Sequence, residues 1–155
     1  MLIRPPARHT VESEVPDAVE AENLSYPPLS LLSIAQFLLA HSDHQVNILD
    51  AQLDDLAYEV MHQKIQEWAP DVVGITCFTV QLVDVYQTVR TCKDAGVKYV
   101  VLGGPHISDF PREAVGLPGV DAIVKGEGQQ PMLDLVNTWA SGGEPRAMPG
   151  IVAHP

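Results

Sequence analysis

The sequence predicts an α/β domain: a doubly wound, flavodoxin-like (Rossmann-like) parallel sheet of five strands in the order 2-1-3-4-5. Three observations predict it. Short β-rich runs alternate with helical patterns along the chain, which implies βαβ units. The run Asp71-Val72-Val73-Gly74-Ile75-Thr76 is nearly continuously apolar, as a parallel strand covered on both faces should be. The length, 155 residues, suits one domain and leaves little room for another. Such a fold binds ligands beyond the carboxyl ends of its strands, near strands one and three.

Each element has a local cause. Leu2-Ile3 begins a first strand that Pro5-Pro6 ends, because two prolines remove two ladder donors. Residues 7–28 form a long acidic loop carrying Glu12, Glu14, Asp17, Glu20 and Glu22, of a length that suits a lid or disorder. After Pro27-Pro28, Leu31, Leu32, Ala35, Leu38 and Leu39 recur at helical spacing. Strand two is Gln45 to Leu49. A helix capped by Asp54 or Asp55 then runs to about Trp68, before Pro70. Strand three is the apolar run above, and helix three spans about Gln81 to Asp94, with Gly96 as its stop. Strand four, Lys98 to Leu102, leads into Gly103-Gly104-Pro105-His106, and a short helix begins near Pro111. Strand five, Asp121 to Val124, leads into Gly126-Glu127-Gly128, and Pro131 opens the last helix, through about Trp139. These elements divide the chain into a domain over 1–140 and a linker over 141–155, which starts Ser141-Gly142-Gly143-Glu144-Pro145.

Composition excludes several function classes. The net charge is −11, and ten acids with no Lys or Arg lie between His9 and Gln63, which argues against nucleic acid or an anionic membrane as partner. The longest mostly apolar stretch, Leu29 to Ala40, is far below the roughly 20 residues of a membrane helix. No signal-peptide pattern opens the chain, so a cytoplasmic protein is the expectation. Two cysteines, Cys77 and Cys92, cannot build a disulfide framework or a four-thiolate metal site.

The informative residues cluster at predicted strand ends: Thr76, Cys77, Phe78 and Thr79 after strand three; Gly103, Gly104, Pro105, His106 and Ser108 after strand four; Lys125, Gly126, Glu127 and Gly128 after strand five. Paired glycines there either turn the chain or let a ligand approach the backbone where no Cβ intervenes. All 11 glycines lie from Gly74 onward, so the loop after strand one has none and carries five acids. A phosphate-cradling loop at that place, as dinucleotide or flavin sites need, is therefore excluded. There is no Walker A pattern, and the phosphoacceptor position of a receiver domain is occupied by Thr76-Cys77. Cys77 reads as a buried small hydrophobe rather than a nucleophile. The six histidines show no HxxxH or HxH spacing, so no protein metal site and no catalytic set is assigned. Asp50 suits either a ribose hydroxyl or a loop role, and Arg4 and Lys125 either an anion or water.

Five runs together resemble a known family. Tyr26-Pro27-Pro28-Leu29-Ser30-Leu31-Leu32, Val46-Asn47-Ile48-Leu49-Asp50-Ala51, Asp71 to Thr76, Val101-Leu102-Gly103-Gly104-Pro105-His106 and Val124-Lys125-Gly126-Glu127-Gly128 occur in the order found in the N-terminal cobalamin-binding domain of B12-dependent radical SAM proteins. Anaerobic oxidative cyclases and many methyltransferases share this arrangement. Met148-Pro149-Gly150-Ile151-Val152 resembles the link into their catalytic barrel.

The resemblance implies a module that binds cobalamin and positions the corrin for a radical SAM catalytic domain elsewhere in the parent chain. That parent would perform methyl transfer or oxidative cyclisation with a 4Fe-4S cluster and S-adenosylmethionine. This chain lacks the CxxxCxxC cluster motif and would not be catalytic alone. Carried over by position, Gly103, Gly104 and Gly126 line the cofactor's nucleotide tail, with Glu127 and Gly128 in the adjoining loop. Thr76 and Thr79 supply hydroxyls beside Phe78 and Pro105, and Pro5, Pro6, Leu29 and His106 lie nearer the ring. The DxHxxG motif that supplies a cobalt-ligating histidine in the methionine synthase branch is absent, which implies cobalamin with its own base displaced and no protein histidine on cobalt. Gln129 stands where the radical SAM branch often has an acid. The alternative is a flavodoxin-like interaction or regulatory domain that binds no cobalamin.

Overall fold

The computed structural model describes residues 1–9, 26–145 and 148–153. Most of the predicted acidic loop, residues 10–25, lies outside the described residues. The strands are β1 (Leu2–Arg4), β2 (Ile48–Asp50), β3 (Val72–Thr76), β4 (Tyr99–Gly103), β5 (Ala122–Val124) and β6 (Ile151–Ala153). They form one sheet in the order β2-β1-β3-β4-β5-β6. The first five strands are parallel and hold the expected 2-1-3-4-5 order, with Leu2 beside both Ile48 and Gly74, Gly74 beside Val101, and Val101 beside Ala122.

The sixth strand corrects the expected five. Within the stretch read as linker, β6 runs antiparallel to β5, pairing Val124 with Ile151 and Ala122 with Ala153. The cause is local. Without it β5 would be an open edge, and Ile151-Val152-Ala153 is a short apolar run that can satisfy that edge. Gly150, at φ +75°, makes the turn into it, and its carbonyl accepts from the Lys125 amide at 2.8 Å.

The helices are α1 (Leu29–His41), α2 (Tyr58–Trp68), α3 (Leu82–Asp94, preceded by a 3₁₀ turn at Thr79–Gln81), α4 (Pro105–Asp109), α5 (Pro111–Val115) and α6 (Gln129–Ala140). Neither Asp54 nor Asp55 caps α2, whose N-cap is Ala57. Asp50 intervenes: its carboxylate accepts from the Leu53 amide at 3.0 Å and sets up a turn before the helix. No helix among the described residues is long and apolar enough to cross a membrane.

Crossovers in one hand place α1 and α6 on one face of the sheet and α2 to α5 on the other, because the chain reverses direction between β2 and β3. Alternation along each strand then divides the core. Ile3, Val73, Ile75, Val100, Leu102 and Ile123 pack against α2 to α5, whereas Leu2, Val101, Ala122 and Val124 face α1 and α6.

Candidate functional site: a groove under two helices

On the α1/α6 face the sheet is hollowed where two rungs cross β3 and β4. One rung is Gly74–Val101 and the next, toward the carboxyl ends, is Thr76–Gly103. A glycine in each rung removes a side chain from the space between sheet and helices, and a groove of about 350 Å³ results. Its sheet side includes Leu2, Gly74, Thr76, Val101, Gly103 and Val124. Ser30, Leu31 and Ile34 of α1 close one flank, and Gln129 and Met132 of α6 the other. Gly104, Pro105, Ser108, Gly126, Glu127 and Gly128 form its mouth.

The mouth is shaped by close backbone contacts. Gly104 has φ +107°, and a Cβ there would lie 2.9 Å from both the nitrogen and the oxygen of Cys77, so no larger residue fits. This approach lets the Cys77 amide donate to the Gly103 carbonyl at 2.7 Å. The Ser108 hydroxyl donates to the Gly104 carbonyl at 3.2 Å and accepts from the Gly126 amide at 3.0 Å, tying the two glycine loops together. A Cβ at Gly128 would meet Ile34 Cδ1 at 2.7 Å, which fixes how closely α6 starts beside α1. The Gln129 side chain reaches Ser33 at 3.1 Å across the same junction.

The polar features of the groove invite a ligand. Thr76 is 7% exposed, and no hydrogen bond to its hydroxyl is found among the described residues. A buried hydroxyl in that condition is held below its bonding capacity. Both helices begin beside the groove with no side-chain cap, at Pro28 and Gly128, so their first-turn amides present positive dipole ends there. Among the described residues, Glu127 is the one charged residue of the lining. Small residues, the hydroxyls of Ser30, Thr76 and Ser108 and two helix starts fit an elongated ligand with amide or anionic groups.

Of the thirteen residues that the resemblance assigns to the cofactor, Thr76, Gly103, Gly104, Pro105, Gly126, Glu127 and Gly128 line the groove, and the other six do not; Ser108, also singled out from sequence, lines it too. Leu29 and Phe78 sit on the surface, 72% and 43% exposed, with Thr79 exposed beside Phe78. Pro5 and Pro6 are buried. His106 is buried on the opposite side of the sheet edge, its Nδ1 3.1 Å from Thr79 Oγ1, its Nε2 3.7 Å from Glu113 and its ring beside Phe110. Arg4 meets an anionic group of the protein itself: it donates to the Asp50 carboxylate at 3.3 Å, and also to Gln52 at 2.8 Å and to the Tyr26 carbonyl at 3.0 Å. Burial pushes the Cys77 thiol up to about 12, which keeps it protonated and unreactive. Among the described residues no group of three or more His, Cys, Asp or Glu side chains could hold a metal ion.

Sequence reasoning missed the helical walls, Ser30, Leu31, Ile34 and Met132. Their signal was topological. A 2-1-3-4-5 order places the helix after strand one and the helix after strand five on one face, so their first turns converge on the strand-three and strand-four glycines.

The chain is similar to known proteins in sequence and in fold. The B12 binding domain family matches residues 18–136. An uncharacterized methyltransferase of Pyrococcus horikoshii is 29% identical over 153 residues, covering 97% of this chain and 31% of its own length. The anaerobic magnesium-protoporphyrin IX monomethyl ester cyclase of Rubrivivax gelatinosus is 34% identical over 120 residues, 76% of this chain and 22% of the cyclase. Among solved structures, the radical S-adenosylmethionine methyltransferase TsrM of Kitasatospora setae, with cobalamin and a 4Fe-4S cluster bound, superposes with a TM-score of 0.77. That match has 17% identity and covers 98% of this chain but 28% of TsrM. The chain thus spans less than a third of each of these proteins. The glycine-hollowed groove and the match over most of the chain lead to one conclusion: the chain belongs to the B12-binding domain family, whose cofactor is cobalamin.

Proposed function

We propose that this domain holds cobalamin with its nucleotide tail in the groove between β3–β4 and the helix pair α1/α6, the corrin lying across the carboxyl edge of the sheet. The observation that carries the reading is the pair of glycine rungs, Gly74 and Gly103, which leave about 350 Å³ where side chains would otherwise pack. Thr76 offers its free hydroxyl to the tail. The first-turn amides of α1 and α6 face an anionic group from above. Ser108 keeps the Gly104 and Gly126 loops at a fixed separation, so the mouth is preorganised and little ordering is left for binding. Leu29 and Phe78 add exposed apolar surface near the carboxyl edge for the flat corrin.

Bound cobalamin supplies the organocobalt chemistry, and the domain supplies position and access. His106 and His9, the histidines nearest that edge, each have a ring nitrogen engaged, His106 with Thr79 and His9 with Asp84. One engaged nitrogen leaves the other able to ligate, so the reading of a cobalt with no protein histidine on it rests on the missing DxHxxG motif alone. In a parent protein, residues 1–140 would hold the cofactor and residues 141–155 would lead toward a radical SAM domain that methylates or cyclises its substrate. The cyclase and methyltransferase names of the relatives support that reading.

Equilibrium dialysis against hydroxocobalamin, read by the corrin's visible absorption, tests it. The chain should retain one corrinoid per molecule. Gly103→Val should weaken retention about 100-fold or more, roughly 2.7 kcal/mol. The nearest atoms to a Cβ at 103 are 3.7 Å away, so the variant should fold with an almost unchanged melting temperature while filling the groove. Equal retention by both proteins, or by neither, overturns the assignment and leaves an interaction domain without cofactor.

A further inference from the structure

The groove has a floor, and the floor separates it from a second space. Toward the amino ends of the strands, under the far halves of α1 and α6, lies a cavity of about 600 Å³. Its walls include Leu38 of α1, Val72 and Tyr99 of the sheet, and Val136 and Trp139 of α6. The two spaces lie on the same face of the sheet, and Leu2 and Met132 are the residues they share. These two side chains meet over Gly74: a Cβ there would lie 2.9 Å from Leu2 Cδ2 and 3.2 Å from Met132 Cε. Gly74 therefore has a task beyond widening the groove. It gives the two chain ends room to close across the sheet.

The partition is thin and adjustable. It consists of the end of a leucine and a methionine thioether with three rotatable bonds, 2% and 5% exposed, rather than backbone. Beyond it the surroundings suit a flat heteroaromatic ring. Tyr99 and Trp139 are stacked 4.2 Å apart with their planes 3° from parallel, and Asn47, His44 and Asp71 bring hydrogen-bonding groups to the far rim.

We propose that Leu2 and Met132 form a gate that sets the depth of the tail groove and so selects among corrinoids by the length of the lower base. The wild-type floor stops a base of ordinary length, and a longer base must displace Met132 to reach the lower cavity. This proposal rests on the cobalamin reading above, and its test separates the two.

The probes are hydroxocobalamin and the corresponding cobamide whose lower base is naphthimidazole, which carries a further fused ring where dimethylbenzimidazole has two methyls and so reaches deeper, each titrated into the full chain and read by visible absorption. The quantity is the ratio of the two dissociation constants, which a general loss of folded protein does not change. Wild type should favour cobalamin. Met132→Ala should shift the ratio toward the longer base by about tenfold or more. Leu2→Ala opens the same floor from the strand side and should shift the ratio the same way, keeping the test available if one variant folds poorly. Met132→Trp raises the floor and should weaken both tailed corrinoids more than cobinamide, which has no nucleotide tail. If wild type binds cobalamin but neither alanine variant moves the ratio, the gate is wrong and the cofactor assignment stands. If wild type binds no corrinoid, both fall.

Discussion

Along β3, Val73 and Ile75 point to one face of the sheet, and Gly74 and Thr76 to the other. The first face is filled: Ile3, Val73, Val100, Leu102 and Ile123 have no exposed surface and interlock with Met61 and Ile65 of α2 and Val85 and Val89 of α3. The second face has its own buried cluster, with Leu31, Leu38, Leu135 and Trp139 among it, but it leaves two open spaces on either side of Leu2 and Met132. Strand alternation has allotted stability to one parity of residues and capacity for a ligand to the other. The consequence is a division that mutation can test: changes on the filled face should alter stability with little effect on binding, and changes in the groove should do the reverse.

The strongest attempt to break this division is Leu102→Ala. Leu102 is adjacent in sequence to Gly103 but faces the opposite way, wholly buried. Truncation there should cost about 3–4 kcal/mol through lost burial and the cavity left behind. Urea unfolding would measure it. Cobalamin affinity of the folded fraction should stay within about twofold of wild type. A binding loss comparable to that of Gly103→Val would show that the two faces are coupled and the division false.

A smaller effect belongs to the one carboxylate set into the filled face. Asp84 of α3 has no exposed side-chain surface, and it accepts from the His9 amide at 2.8 Å, from His9 Nδ1 at 2.8 Å and from the Tyr58 hydroxyl. These bonds pin the end of the β1 exit to both α2 and α3. Asp84→Ala strips every acceptor and leaves the Tyr58 hydroxyl without this partner, for a loss of about 2–3 kcal/mol. Chemical unfolding should show it, again with corrinoid binding retained. A variant as stable as wild type would mean that the cluster contributes nothing net.

The two faces were not equally legible in sequence. The filled face could be read directly: an apolar strand with helices at the right period leaves few alternatives, and 2-1-3-4-5 is the common order for five such strands. The groove was half visible. Gly103-Gly104 and Gly126-Glu127-Gly128 announced backbone approach at strand ends because glycine there is informative by itself. Ile34 and Met132 announced nothing, since an apolar residue on a buried helix stripe looks the same whether it fills a core or walls a cavity. His106 shows a related limit: the sequence places it at the edge, but the side chain's direction depends on α4, a single helical turn begun by Pro105. The β6 strand was missed because three residues after a glycine-rich stretch have no periodicity of their own. Only the open edge of β5 gives them a structure.

The least disruptive test of the filled face uses its two thiols. Cys77 and Cys92 are both fully buried there, and burial pushes each thiol up from 9.0 to about 12. The folded chain thus holds these protons over a range where the unfolded chain releases them. The stability they contribute is intact below pH 9 and is lost as pH rises from 9 toward 12, by about 1.4 kcal/mol per pH unit for each thiol. The Tyr58 phenol, raised by its own burial and by Asp84, adds a loss of the same sign that begins one unit higher. Urea unfolding at pH 8 and pH 10 should therefore show a decline in wild type. Cys77→Ala/Cys92→Ala should start lower at pH 8, because it leaves small cavities, yet decline less between the two values, because Tyr58 is unchanged in both proteins. Equal declines would mean that water reaches the thiols and that the face described as filled is open to solvent.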